Sequence, residues 1–185
     1  AKEAGLTKIS VIEFGVANGR GLIAMAKYAQ LVSEKLQIEI LVFGFDSGEG
    51  MPEYEGYKDH PEIYITGDYP MQQPDKLKTI LPSNTKLVIL NLNKEDWTAY
   101  IPSSAPIGFI SIDVDYYSST KNILNHLRLL KPEFILPNTL FYFDDIILDN
   151  HNNYQGELLA INELLLCLFL FVVYKKEIRR LVIVK

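Results

Sequence analysis

A β-branched run, Lys8 to Phe14, breaks into the turn Gly15-Val-Ala-Asn-Gly19-Arg-Gly21 and passes straight into a helical pattern. No other stretch constrains the fold as much. Leu22, Met25, Ala26, Ala29, Val32 and Leu36 recur at three- and four-residue spacing, with Lys27, Gln30 and Glu34 outside the stripe. Ile38 to Phe45 follows as a nearly continuous apolar run, the pattern of a strand covered on both faces. Strand, glycine turn, helix and buried strand in that order predict a βαβ unit of a parallel sheet.

The rest of the chain extends that unit. Asp46 to Pro82, rich in Gly, Pro, Tyr and acids, reads as a long loop with a short helix near Asp75 to Leu81. Strands are predicted over Lys86 to Leu92, Ile107 to Val114 and Thr139 to Phe143. Between the last two, Ser118, Ser119 and Thr120 read as caps of a helix whose inner face carries Ile123, Leu124, Leu127 and Leu130, and which Pro132 and Pro137 end. A helix over Gln155 to Cys167 precedes two apolar tail runs, Phe169 to Tyr174 and Leu181 to Val184, spaced for a terminal antiparallel hairpin. Residues 1–185 therefore read as one domain, a Rossmann-like, doubly wound, mostly parallel α/β sheet that binds its ligand at the carboxyl ends of the strands.

Composition narrows the partners. With 18 Lys+Arg against 23 Asp+Glu and no basic run, the chain lacks the electrostatic footprint of a nucleic-acid binder. The apolar run Leu164 to Tyr174 is too short to span a bilayer, which takes about 20 residues. The lone Cys167 reads as a small buried hydrophobe and fits a reducing compartment, so a cytoplasmic location is the expectation, with no secretion signal in view. An N-terminus without Met is consistent with a trimmed chain lacking an upstream extension. The tail strands fit either core burial or contact with a second copy in a homo-oligomer.

The turn is not G-x-G-x-x-G, because its first two glycines are four apart. Glu13, two residues ahead of it, puts a carboxylate where a pyrophosphate would be repelled and a cation welcomed. S-adenosylmethionine carries both an ammonium and a sulfonium. Asp46, ending the second strand, can accept ribose hydroxyls. A purely structural strand-to-helix turn and a loop cap are the plain alternatives for these residues.

Asp113 and Asp115 stand two apart, so a regular strand would aim both at one face. Asp144-Asp145 closes the next strand, and neighbouring strands run about 4.8 Å apart. Carboxylates packed this closely repel unless a cation neutralises them, and all-oxygen ligation without clustered His or Cys points to Mg²⁺, Mn²⁺ or Ca²⁺. An Asp-Asp pair is also a common turn or helix cap. His151 could act as a general base or stand in a solvated loop, and Glu157 could belong to the site or answer a helix dipole.

Four motifs in order, Glu13-Phe-Gly15 through Gly21, Phe43-Gly-Phe-Asp46-Ser-Gly-Glu-Gly50-Met-Pro52, Ile110-Ser-Ile-Asp113-Val-Asp115 with Tyr117 and Ser119-Thr120, and Tyr142-Phe-Asp144-Asp145, resemble class I S-adenosylmethionine-dependent methyltransferases. The nearest group is the metal-dependent sugar O-methyltransferases of the macrocin O-methyltransferase type. The resemblance covers about Lys8 to Glu163 and departs from the family at Gly48, where an aromatic is usual, and in the tail. It implies Glu13, Gly15, Asn18 and Gly19 at the methionine end of the cofactor, Asp46 and Ser47 at the ribose, and Asn91 to Asn93 at the adenine edge. It further implies Asp113, Asp144 and Asp145 as metal ligands and leaves Asp115 as a turn residue or a neighbour that supports those ligands. The candidate catalytic residues are then Asp113, placed at the cofactor as well, and His151, named by its position after Asp144-Asp145. The expected activity is Mg²⁺-assisted methylation of a hydroxyl on a small-molecule acceptor, a sugar or natural product. A catalytically silent methyltransferase-like module and, less favoured, a nicotinamide-dependent oxidoreductase are the rivals. Removing Glu13, Asp46, Asp113, Asp115, Asp144 and Asp145 leaves 17 acids against 18 bases, so the acidity of the chain belongs to a site.

Overall fold

The computed structural model describes residues 1–146, 153–168, 172–174 and 181–183. Among them, strands β1 (Lys8–Phe14), β2 (Glu39–Asp46), β3 (Thr85–Ile89), β4 (Ile107–Ile112), β5 (Ile135–Phe143), β6 (Val172–Tyr174) and β7 (Leu181–Ile183) form one sheet in the order β3-β2-β1-β4-β5-β7-β6. The first five pair in parallel, while β7 runs antiparallel to both β5 and β6. Residues 175–180, on which the expected hairpin depends, lie outside the described residues, as does the side chain of Cys167. The helices are α1 (Arg20–Leu36), α2 (Pro74–Ile80), α3 (Tyr117–Leu129) and α4 (Gly156–Leu168). None of the described helices is long and apolar enough to cross a membrane.

Strand alternation sorts the core into two layers. Val11 and Val42 pack with Leu22, Ala29, Leu77 and Leu87 on the side of α1 and α2. Ile12, Phe14, Phe43 and Phe45 pack with Trp97, Ile123, Leu124, Ala160 and Ile161 on the side of α3 and α4. Trp97 is fully buried, its ring 4.9 Å from Phe14 and 6.0 Å from Phe45. The connections leave β1 towards β2 on one side and reach β4 on the other, so the sheet order turns between β1 and β4 and opens a crevice there.

Three local expectations are corrected. β4 ends at Ile112, so Asp113 and Asp115 stand on a turn rather than on a pleated strand, and Asp115 takes a left-handed backbone at φ 58. The cap of α3 is not supplied by Ser118, Ser119 or Thr120, which lie inside its first turn. Instead Asp59, far back in the long loop, accepts from the Ser118 N–H at 2.7 Å. Pro137 does not stop a helix but sits within β5, where pairing with β4 slips between Ile107 and Phe109 and no ladder donor is needed. There the Thr139 hydroxyl donates to the Ile107 and Leu136 carbonyls at 2.8 and 2.9 Å.

Candidate functional site

The backbone ladder continues one residue beyond each strand and thereby places the site. Gly15 N–H donates to the Phe45 carbonyl at 3.0 Å, Asp113 N–H to the Phe14 carbonyl at 3.0 Å, and Asp144 N–H to the Ile112 carbonyl at 3.1 Å. Gly15 has φ +81, and a Cβ there would lie 1.7 Å from the Asp113 carbonyl oxygen. Only glycine admits that approach. A Cβ at Gly21 would lie 2.0 Å from Glu13 Oε1, so the Glu13 carboxyl lies against the start of α1. Gly19 faces away from the cavity, packed on Leu77 at φ +84.

Asp46 shapes this turn. Its Oδ2 accepts from Val16 and Ala17 N–H at 2.7 and 2.8 Å, and its Oδ1 from Gly48 N–H at 2.6 Å. Those bonds use three of about four acceptor positions on the carboxylate.

Between the strand ends and the long loop lies a cleft of about 550 Å³. Glu13, Gly15, Asn18, Asp46, Ser47, Asn91, Asp113, Asp144 and Asp145 line it, and His151 lies outside the described residues. Asn18 also ties the loop down, its Oδ1 accepting from Gln72 N–H at 3.2 Å. The described lining contains seven acids, Asp68 and Asp115 among them, against one base, Arg20. Asp68 comes from the loop, brought in where Met51 N–H donates to its carbonyl at 2.8 Å.

One oxygen each from Asp113, Asp115 and Asp145 lies within 4.8 Å of the others. Asp144 lines the cleft beside them, its Oδ1 accepting from the Tyr142 hydroxyl. Asp115, grouped with Asp113 by strand alternation but set apart from the ligands by the family resemblance, is thus brought into the cluster by its left-handed backbone, which Asp tolerates better than most residues. Asp115 is also hydrogen-bonded to the buried Tyr64 hydroxyl, and its carboxylate pushes that phenol's pKa up after burial has already raised it.

The acids strain against one another. Burial, then the charges of Asp113 and Asp46, push the Glu13 carboxyl up to about 8. Asp113 opens onto the cleft, yet the surrounding walls, followed by the charges of Asp144 and Asp115, raise it to about 7. Burial raises Asp145, reinforced by its hydrogen bond with Asp115. Glu13 Oε2 is buried with no hydrogen-bond partner among the described residues. A buried oxygen of that kind costs folding free energy unless a ligand donor meets it. The chemistry of the donor set suits a cationic ligand and a hard, oxygen-seeking metal ion.

This sheet, with its glycine turn after β1 and its acid-lined cleft at the strand ends, is a Rossmann-like α/β fold. Two solved structures share it. "CalS11, Calicheamicin Methyltransferase" superposes with a TM-score of 0.73 at 19% identity, over 95% of this chain and 71% of that one. "The O-methyltransferase NovP" gives 0.69 at 14% identity, over 100% of this chain and 74% of that one. No family model and no curated protein matches the sequence.

Proposed function

We propose that the chain is an S-adenosylmethionine-dependent O-methyltransferase that methylates a hydroxyl of a small molecule, a sugar or natural product, with the help of Mg²⁺. The observation that carries this reading is the pairing, in one cleft, of the unpartnered buried Glu13 oxygen with the convergent carboxylates of Asp113, Asp115 and Asp145. The two solved neighbours are both methyltransferases, which supports it.

When bound, the cofactor supplies an activated methyl group and the cation polarises the acceptor hydroxyl. Glu13 would receive the ammonium of the methionine end, with the Gly15 backbone close by. Asp46 and Ser47 would flank the ribose and Asn91 the adenine, and all three line the cleft. Asp113, Asp115 and Asp145 would hold the cation, with Asp144 beside them. His151 is kept as a candidate base. The chain's contribution is positioning: strand ends fixed by backbone bonds hold the two halves of the site at a set distance.

Calorimetry with S-adenosylhomocysteine, and an acceptor panel assayed with Mg²⁺ and with EDTA, test the proposal. Cofactor binding and Mg²⁺-dependent transfer are expected. Absence of S-adenosylhomocysteine binding refutes the cofactor, and full transfer in EDTA refutes the metal.

A further inference from the structure

Three consecutive residues at the start of α4 touch both halves of the site. Gln155 Nε2 donates to the Tyr57 carbonyl at 2.6 Å and to Glu62 Oε1 at 3.0 Å, gripping the long loop. Gly156, at φ +60, packs so closely that a Cβ would lie 3.0 Å from His60 and 3.3 Å from the Asp115 carbonyl oxygen. Glu157 is wholly buried. Its Oε1 accepts from Val114 N–H at 3.2 Å and its Oε2 from Asp145 N–H at 3.3 Å. Val114 is the residue between Asp113 and Asp115, so one carboxyl group bridges the backbones of the two turns that deliver the convergent carboxylates.

We propose that Glu157 is a positioning residue that sets the distance between the 113–115 turn and the 144–145 turn, and through it the affinity of the cluster for a divalent cation. The proposal rests on the metal reading above. An apolar residue would fill the same volume without placing another acid near Asp113 and Asp115, so packing alone does not account for a carboxyl here. The two inward backbone donors do account for it, because each needs an acceptor. Glutamate presents two. Glutamine presents one oxygen and turns an N–H towards the other donor, while aspartate is a methylene short of spanning both.

The test is Glu157→Gln in the full chain, titrated with Mn²⁺ by electron paramagnetic resonance and with S-adenosylhomocysteine by calorimetry. Mn²⁺ binding should weaken about 10- to 100-fold, the usual effect of removing a group that orients metal ligands. S-adenosylhomocysteine binding should be unchanged, because Glu157 touches neither Glu13 nor the glycine turn. Equal Mn²⁺ affinity in variant and parent overturns the proposal, as does a parallel loss of both ligands. Amide exchange supplies a second readout in the unsubstituted chain. Val114 and Asp145 amides protected together uphold the clamp even if the variant does not fold, and rapid exchange of either overturns it. A parent that binds S-adenosylhomocysteine but no Mn²⁺ refutes the metal reading instead, and the clamp is then decided by exchange alone.

Discussion

Replacing Gly15 by alanine puts the contact between β1 and β4 to a direct test. The added Cβ would lie 1.7 Å from the Asp113 carbonyl oxygen and 2.7 Å from its carbon. An ordinary C···O contact is about 3.3 Å, so the two backbones must part by roughly 1.6 Å. They are bonded on both sides of the clash, Gly15 N–H to Phe45 and Asp113 N–H to Phe14, each at 3.0 Å. The left-handed backbone adds about 1 kcal/mol for an L-residue, and forcing atoms into a packed site adds about 1–3 kcal/mol. The expected loss is therefore about 2–4 kcal/mol. Gly67→Ala isolates the clash, since Gly67 has φ +87 but nothing within 4 Å of its Cβ position, and it should lose only about 1 kcal/mol. Urea denaturation of both variants, with unchanged slope, measures the difference. Equal losses in the two would refute the close-approach argument.

Other consequences are open to measurement. Folding raises the Glu13 carboxyl from 4.5 to about 8, so the folded, ligand-free chain holds a proton that the unfolded chain releases. The Glu13 contribution to stability should be full below about pH 4.5 and be lost as pH rises towards 8, and Glu13→Gln should remove that share of the pH dependence in thermal melts. Asp59→Ala removes the acceptor for both Ser118 and Glu55 N–H and should lower the urea-unfolding free energy by about 2 kcal/mol, with Asp59→Asn losing about half as much. Trp97→Ala empties the space packed against Phe14 and Phe45 and should lose about 3–5 kcal/mol by the same assay.

The β1–α1–β2 unit was legible because each part announces itself over a few neighbouring residues: a β-branched run, a glycine turn, a 3.6-residue stripe. The same local logic pointed to Asp113, Asp144 and Asp145 at strand ends. It grouped Asp115 with Asp113 through strand alternation, and the two do converge, though by a left-handed turn because the strand has stopped at Ile112. It also gave α3 the wrong cap, since the true one, Asp59, lies 59 residues earlier than its partner Ser118. Pro137 misled for a similar reason: whether a proline breaks a strand depends on whether its neighbour needs a donor there, and that is a property of β4. The role of Glu157 is likewise invisible locally, as its two partners come from different turns.

The Asp59 cap has a bearing on traffic through the cleft. A wall segment attached by a helix cap cannot swing as a free flap, because moving it uncovers the first turn of α3 as well as the Glu55 N–H. Opening by that route is coupled to fraying a helix and should be slow and rare. Exchange of molecules between cleft and solvent then has to proceed with that segment in place, past exposed lining residues such as Asn18 and Arg20, and occupancy depends on what can enter as much as on what fits inside.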